Sequence, residues 1–169
     1  MQAGGAAVMS SLRDWRVLAG LTLAAATVGT VIVATSPMTG TYTGPLPPSF
    51  SVGGKTFQIT SFAINNAQRA AGLMGRKVTN STLMLFAWPS PGRYQFWMYD
   101  TNTSLDMIWI NESGGSGRVV YVVTGAEPCY IAQACTIYTP TVPANYVIEA
   151  RAGFAVANGI RAGSQVGFG

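Results

Sequence analysis

Past Lys55 the apolar residues alternate with polar ones in short runs broken by Gly, Pro and Asn. A period of two places every second side chain on one face of an extended strand, so the pattern predicts a β-rich fold. Strands are expected over 55–64, 82–87, 94–99, 106–111, 118–124, 145–151 and 165–168, with the Gly-rich stretch 112–117 joining two of them as an antiparallel hairpin. One short helix is expected over 67–74, with Asn66 as its N-cap and Gly75 just beyond its end. A second helical turn is expected near 154–158, ahead of Gly159. The fold class is therefore mostly β, a β-rich α+β domain, antiparallel or barrel-like, with one or two short helices.

The pattern before this domain is different. Residues 17–35 carry no charge, and as a helix rising about 1.5 Å per residue they span about 28 Å, close to the ~30 Å hydrocarbon core of a bilayer. They are read as a single transmembrane anchor. Arg13 and Arg16 precede it, which by the positive-inside rule places 1–16 in the cytoplasm and everything after the anchor outside. The alternative is a cleaved signal peptide and a secreted protein. Ala34-Thr35-Ser36 is a poor cleavage site with Pro37 behind it, and the apolar run is long for a signal peptide. Residues 36–54 are rich in Pro, Gly and Thr and are expected to be a semi-rigid spacer between the anchor and an outer domain at 55–169.

Charged residues make up 9% of the chain, well below the roughly 25% usual for soluble domains, so Ser, Thr, Asn, Gln and Gly must supply the polar surface. The basic residues are scattered, with Arg76-Lys77 the only adjacent pair. No row of phosphates is matched by such a distribution, and nucleic acid is not an expected partner. With no His in the chain, imidazole general bases, His-containing triads and the commonest zinc ligand are excluded.

Several strings are distinctive in this order: Arg69-Ala70-Ala71-Gly72-Leu73-Met74-Gly75-Arg76, then Phe96-Trp97-Met98-Tyr99-Asp100-Thr101, then Leu105-Asp106-Met107-Ile108-Trp109-Ile110. Pro143-Ala144-Asn145-Tyr146-Val147-Ile148-Glu149 follows, and Ala152-Gly153 stands ahead of Gly159-Ile160. Over roughly 62–168 the chain resembles the domain of unknown function 192 family. The resemblance implies a compact β-rich domain with short helices and carries no established activity. The chain departs from the family pattern at Tyr99-Asp100, where Lys-Asn is common, at Ser104, where Pro precedes Leu-Asp, and at Gly163-Ser164, where Gly-Asp is usual.

Asp106 shares strand parity with Ile108 and Ile110, which directs its carboxylate inward, and Glu149 sits similarly within 147–151. Buried carboxylates need partners. Arg69 and Arg76 are the candidates, so the four residues are read as a polar cluster. It is either an ion-pair network locking helix to sheet or a pocket for an anion or zwitterion. Cys129 and Cys135 fall outside the membrane on this topology and are expected to form a disulfide. Met74, Met84, Met98 and Met107 are read as core filler rather than as soft Cu(I) ligands, and no metal or cofactor is expected. Trp97 and Tyr99 share the face opposite Phe96 and are candidate exposed aromatics. Asn80, Asn102 and Asn111 each head a glycosylation triplet.

The reading that follows is a single-pass, membrane-anchored extracytoplasmic module that binds an unidentified ligand or assists a neighbouring membrane or surface protein. The alternatives are a hydrolase-like enzyme using Asp106 and Glu149 with Arg69 and Arg76, and a structural component of the cell envelope.

Overall fold

The computed structural model describes residues 40–169. Chain order gives β1 (Ser49–Val52), β2 (Lys55–Gln58), β3 (Ser61–Ala63), α1 (Asn66–Ala71), β4 (Leu83–Gly92), β5 (Leu105–Ser113), β6 (Ser116–Ala126), β7 (Ala144–Arg151), α2 (Phe154–Ala157) and β8 (Gln165–Phe168). The strands form one 8-stranded sheet in the order β2-β1-β8-β6-β5-β7-β4-β3, curled into a half-barrel. Neighbours are antiparallel except β3 and β4, which run parallel.

Both faces of the central strands are buried, because each strand alternates between two apolar sets. Leu83, Leu85, Ile108, Ile110, Tyr146 and Ile148 pack inside the curl with Phe50, Val166 and Ala155 of α2. Met84, Phe86, Met107, Trp109 and Val147 pack on the other face under Leu73, Tyr94, Phe96 and Met98. The methionines Met84, Met98 and Met107 are each at most 1% exposed.

The hairpin between β5 and β6 turns on Gly114 and Gly115, at φ 64° and 81°. These are the positive angles that a two-residue turn needs to match strand twist. A register shift follows between Leu105 and Met107. There Gly125, at φ 64°, bulges from β6 and turns its N–H towards β5.

Three expectations are corrected. The stretch 36–54, expected to be a spacer, contributes β1 to the sheet, with Phe50 fully buried against Phe57 and Phe168. Just ahead of it Tyr42 donates its N–H to Ile64 and shares a hydroxyl hydrogen bond of 2.6 Å with Tyr146. The segment 94–99 is not a strand of the sheet. It lies across the second face, held by isolated bridges from Phe96 to Tyr138 and from Tyr99 to Cys129. The first helix starts one residue earlier than expected and ends at Gly72. Asn65 is its N-cap and accepts from the Gln68 N–H at 2.9 Å, while Gln68 accepts from the Ile64 N–H at 2.9 Å, a reciprocal arrangement close to a capping box. Gly72, at φ 44°, precedes Gly75 as the first residue free to leave the helix.

The expected anchor at 17–35 and the segment 1–16 lie outside the described residues. Among the described residues no helix is long and apolar enough to cross a membrane.

Candidate ligand-binding site

Asp106 and Glu149, expected to share one cluster, lie on opposite faces of the sheet. In the pairing of β5 with β7, Asp106 stands opposite Ala150 and Met107 opposite Glu149. Paired residues share a face and successive residues alternate. Asp106 therefore points inside the curl, as its parity predicts. Its two oxygens accept from the N–H of Gly125 and the N–H of Ala155, each at 2.8 Å. It closes the bulge in β6 and ties down the first turn of α2, so each carboxylate oxygen is met by a backbone donor rather than by an Arg.

Arg69 is likewise taken up by main-chain carbonyls. Its Nε donates to Ala87, its Nη2 to Ala87, Ile64 and Gly40, and its Nη1 to Asn66 Oδ1. Its guanidinium lies 4.8 Å from the centre of the Trp88 ring, a cation–π contact. Burial lowers its pKa, an effect partly offset by Tyr94. Arg76 is exposed. The expected ion pair between these arginines and the two acids is not formed: the partners of Arg69 and of Asp106 are those named above.

Glu149 is the residue left over. It faces the second side of the sheet, flanked by Met84 on β4 and Met107 on β5. It is only 4% exposed, and its Oε2 has no hydrogen-bond partner. Desolvation alone pushes its carboxyl up to about 8, since an ion cannot be hydrated there and no cation compensates it. Gly72 at the end of α1 passes so close that an added Cβ would lie 3.7 Å from Oε2 and 3.4 Å from the Phe86 ring.

The unpartnered acid opens onto a cavity of about 700 Å³. Asn66, Arg69, Ala70 and Leu73 of α1 and its C-terminal turn form one side; Phe86, Trp88 and Glu149 form the floor. Tyr94, Phe96, Trp97 and Thr101 form the other side, with Arg93 exposed beside them. The aromatic wall is rigidly built. Trp88 stacks on Tyr94 at 3.8 Å and 8°, Phe86 meets Phe96 edge-on at 4.9 Å, and buried Trp109 donates its indole N–H to the Tyr94 carbonyl at 2.9 Å. Trp97 is 40% exposed and packs 5.3 Å from Tyr99. Such an aromatic cleft around a few polar groups is the usual build of a small-molecule site.

The segment that closes this side is fixed at its far end. Asp100 has φ 52°, a left-handed conformation in which Asp and Asn are enriched, which accounts for an acid standing where the family pattern has Asn. Its N–H donates to the Cys129 carbonyl and its carbonyl accepts from Gly75, both at 2.8 Å. Cys129 and Cys135 lie at disulfide distance, their Cα atoms 5.6 Å apart. Asn80, Asn102 and Asn111 are all exposed.

Of the candidate residues, the structure brings Arg69, Glu149 and Trp97 to one cavity and leaves Arg76 and Asp106 outside it. Sequence reasoning did not find Arg93, Thr101 or the Trp88–Tyr94 stack. Only the run of aromatics from Phe86 to Phe96 hinted at the stack. Fold and cavity together define a small half-barrel domain with an aromatic pocket on its outer face. The profile of the family described as Uncharacterized ACR, COG1430, the domain of unknown function 192, matches residues 49–168, and the chain belongs to that family.

Two solved structures share the fold. One, from Sinorhizobium meliloti 1021 and described as a candidate transcription regulator, is 26% identical with a TM-score of 0.60, over 74% of this chain and 98% of that one. The other, a protein of unknown function from Novosphingobium aromaticivorans DSM 12444, is 24% identical with a TM-score of 0.60, over 79% of this chain and 94% of that one. No curated protein matches the chain.

Proposed function

We propose that this protein is a membrane-anchored extracytoplasmic binding module whose pocket between α1 and the segment 93–101 takes a small organic ligand. The observation that carries the reading is Glu149: a carboxyl buried with one oxygen unpartnered costs several kcal/mol in an apolar setting, and here it fronts a cavity of ligand size. Buried unsatisfied groups concentrate at functional sites because the ligand supplies the missing partner. A hydrolase pairing Asp106 with Glu149 is not retained, since the two lie on opposite faces of the sheet. The description of the Sinorhizobium meliloti structure as a regulator is not extended to this chain, whose basic residues form no stripe for a phosphate backbone.

The uncharged run 17–35 behind Arg13 and Arg16 supports the anchor and its orientation. The cysteine pair at disulfide distance supports an oxidising compartment. The exposure of Asn80, Asn102 and Asn111 is compatible with glycosylation where the compartment provides it.

The test is a thermal-shift screen of a chemically diverse small-molecule library against the full chain and an Ala70→Trp variant. Ala70 is an exposed helix residue on the pocket wall, so the indole fills the cavity with little effect on folding. Compounds that raise the wild-type melting temperature and lose that effect in Ala70→Trp are expected. A library without binders, or binders indifferent to the substitution, overturns the reading.

A further inference from the structure

Resting on that pocket reading, we infer that the ligand carries a protonated amine and that Glu149 is the group that receives it, with the aromatic wall around the ammonium. Three observations converge on a cation. Glu149 is a buried acid whose Oε2 lacks any donor, so the pocket offers an unfilled acceptor at its floor. Among the described residues none stands there as a counter-ion. Its neighbours Met84 and Met107 on the flanking strands are uncharged, and α1 contributes only Arg69, whose donors go to carbonyls of Ala87, Ile64 and Gly40 and to Asn66. From the segment 93–101 the titratable groups on the pocket are Tyr94, whose hydroxyl donates to the Ser90 carbonyl at 2.7 Å, and exposed Arg93. Finally, the walls are aromatic. Phe86, Phe96 and Trp97 line the cavity, rings whose negative quadrupoles attract organic cations, and Arg69 over Trp88 at 4.8 Å already makes such a contact.

An anion entering the same cavity would hold the carboxyl in its protonated form, and a neutral apolar ligand would leave Oε2 unsatisfied. An ammonium satisfies it by a charge-assisted hydrogen bond to a buried carboxyl, a setting in which such bonds are strong. Pairing also changes the protonation state of the protein. The carboxyl, pushed up to about 8 by burial, holds its proton at pH 7 and gives it up when a cation arrives, so binding expels a proton to buffer.

Isothermal titration of the full chain in detergent at pH 7, in phosphate and in MOPS, buffers of different ionisation enthalpy without a primary amine, separates proton transfer from binding. The probes are a panel of arylalkyl primary and secondary amines headed by 2-phenylethylamine, with 2-phenylethanol and phenylacetate as matched neutral and anionic compounds. The expected result is amine binding at least tenfold tighter than the alcohol, with release of most of a proton per amine, because burial raises the free carboxyl's midpoint above pH 7. Glu149→Gln is expected to weaken the amine at least tenfold and abolish the proton release, while Arg76→Ala changes neither. Glu149→Gln removes the charge at near-constant shape; a circular dichroism spectrum matching the wild type establishes that it folds, and Glu149→Met, which also removes the charge, serves in its place if it does not. No amine bound, or amines bound without proton release and equally well by the variant, overturns the inference. Binding of the alcohol or of phenylacetate instead, lost in Ala70→Trp, overturns the amine assignment and leaves the pocket reading standing.

Discussion

Asp106 and Glu149 are buried acids one residue apart in register on adjacent strands, yet their surroundings give them opposite fates. Asp106 fills both oxygens with backbone N–H groups at 2.8 Å. An amide in its place keeps one acceptor and sets an NH2 group against the second donor, so Asp106→Asn is expected to lower stability by about 3 kcal/mol. Urea unfolding measures this, and an unchanged midpoint contradicts the capping role. Glu149 has the reverse problem, because its native site favours the proton. Its pKa is raised from 4.5 to about 8 by burial, so the folded chain keeps a proton that the unfolded chain releases above about 4.5. The stability tied to this group is fully present below 4.5, falls by about 1.4 kcal/mol per pH unit through the window up to 8, and is level above it. Glu149→Gln does not titrate and is expected to flatten that slope and stabilise the domain at pH 7 to 8. Unfolding curves for both proteins at pH 5, 6, 7 and 8 that run parallel would contradict it.

At the scale of elements, legibility followed the physical cause of each one. The hairpin at Gly114-Gly115, the strands β7 and β8 and the turn α2 were readable because local alternation and glycine position determine them. The segment 94–99 was not. Tyr94, Phe96 and Met98 alternate with Gln95, Trp97 and Tyr99 just as a strand does, but they lie on the sheet rather than in it, and period two is common to both. β1 was hidden behind a Pro-rich run, since its pairing with β8 spans almost the whole domain. In the site, the inward direction of Asp106 was legible from parity. Its partners were not, because they are backbone donors created by a bulge and a helix end. The face of Glu149 was not legible either, since β7 is buried on both sides and parity then selects nothing. The helix cap is decided by Asn65 rather than Asn66, so Asn65→Ala is expected to cost about 1 kcal/mol and Asn66→Ala much less, a difference that paired denaturation curves resolve. The covering segment hangs on Cys129. Reducing the Cys129–Cys135 bridge is expected to cost about 2 kcal/mol on the chain-entropy account of so short a loop. Hydrogen exchange of the Cys129 and Asp100 amides should speed up, while that of β5 stays slow.

At the scale of the whole molecule, the proposed anchor and the outer domain make one testable arrangement. A Thr43→Cys thiol, exposed ahead of β1, is expected to react with an impermeant maleimide on intact cells; reaction only after lysis reverses the topology. The central claim concerns the domain itself, that its pocket is organised around a buried acid awaiting a partner. Carboxyl-carbon NMR of selectively labelled glutamate tests it most directly, with Glu149→Gln assigning the resonance. The account predicts a Glu149 midpoint near 8 in the free protein, displaced downward when the pocket is occupied by an amine. A midpoint near the ordinary 4.5 in the free protein would mean that the acid is solvated or already paired, and would contradict it.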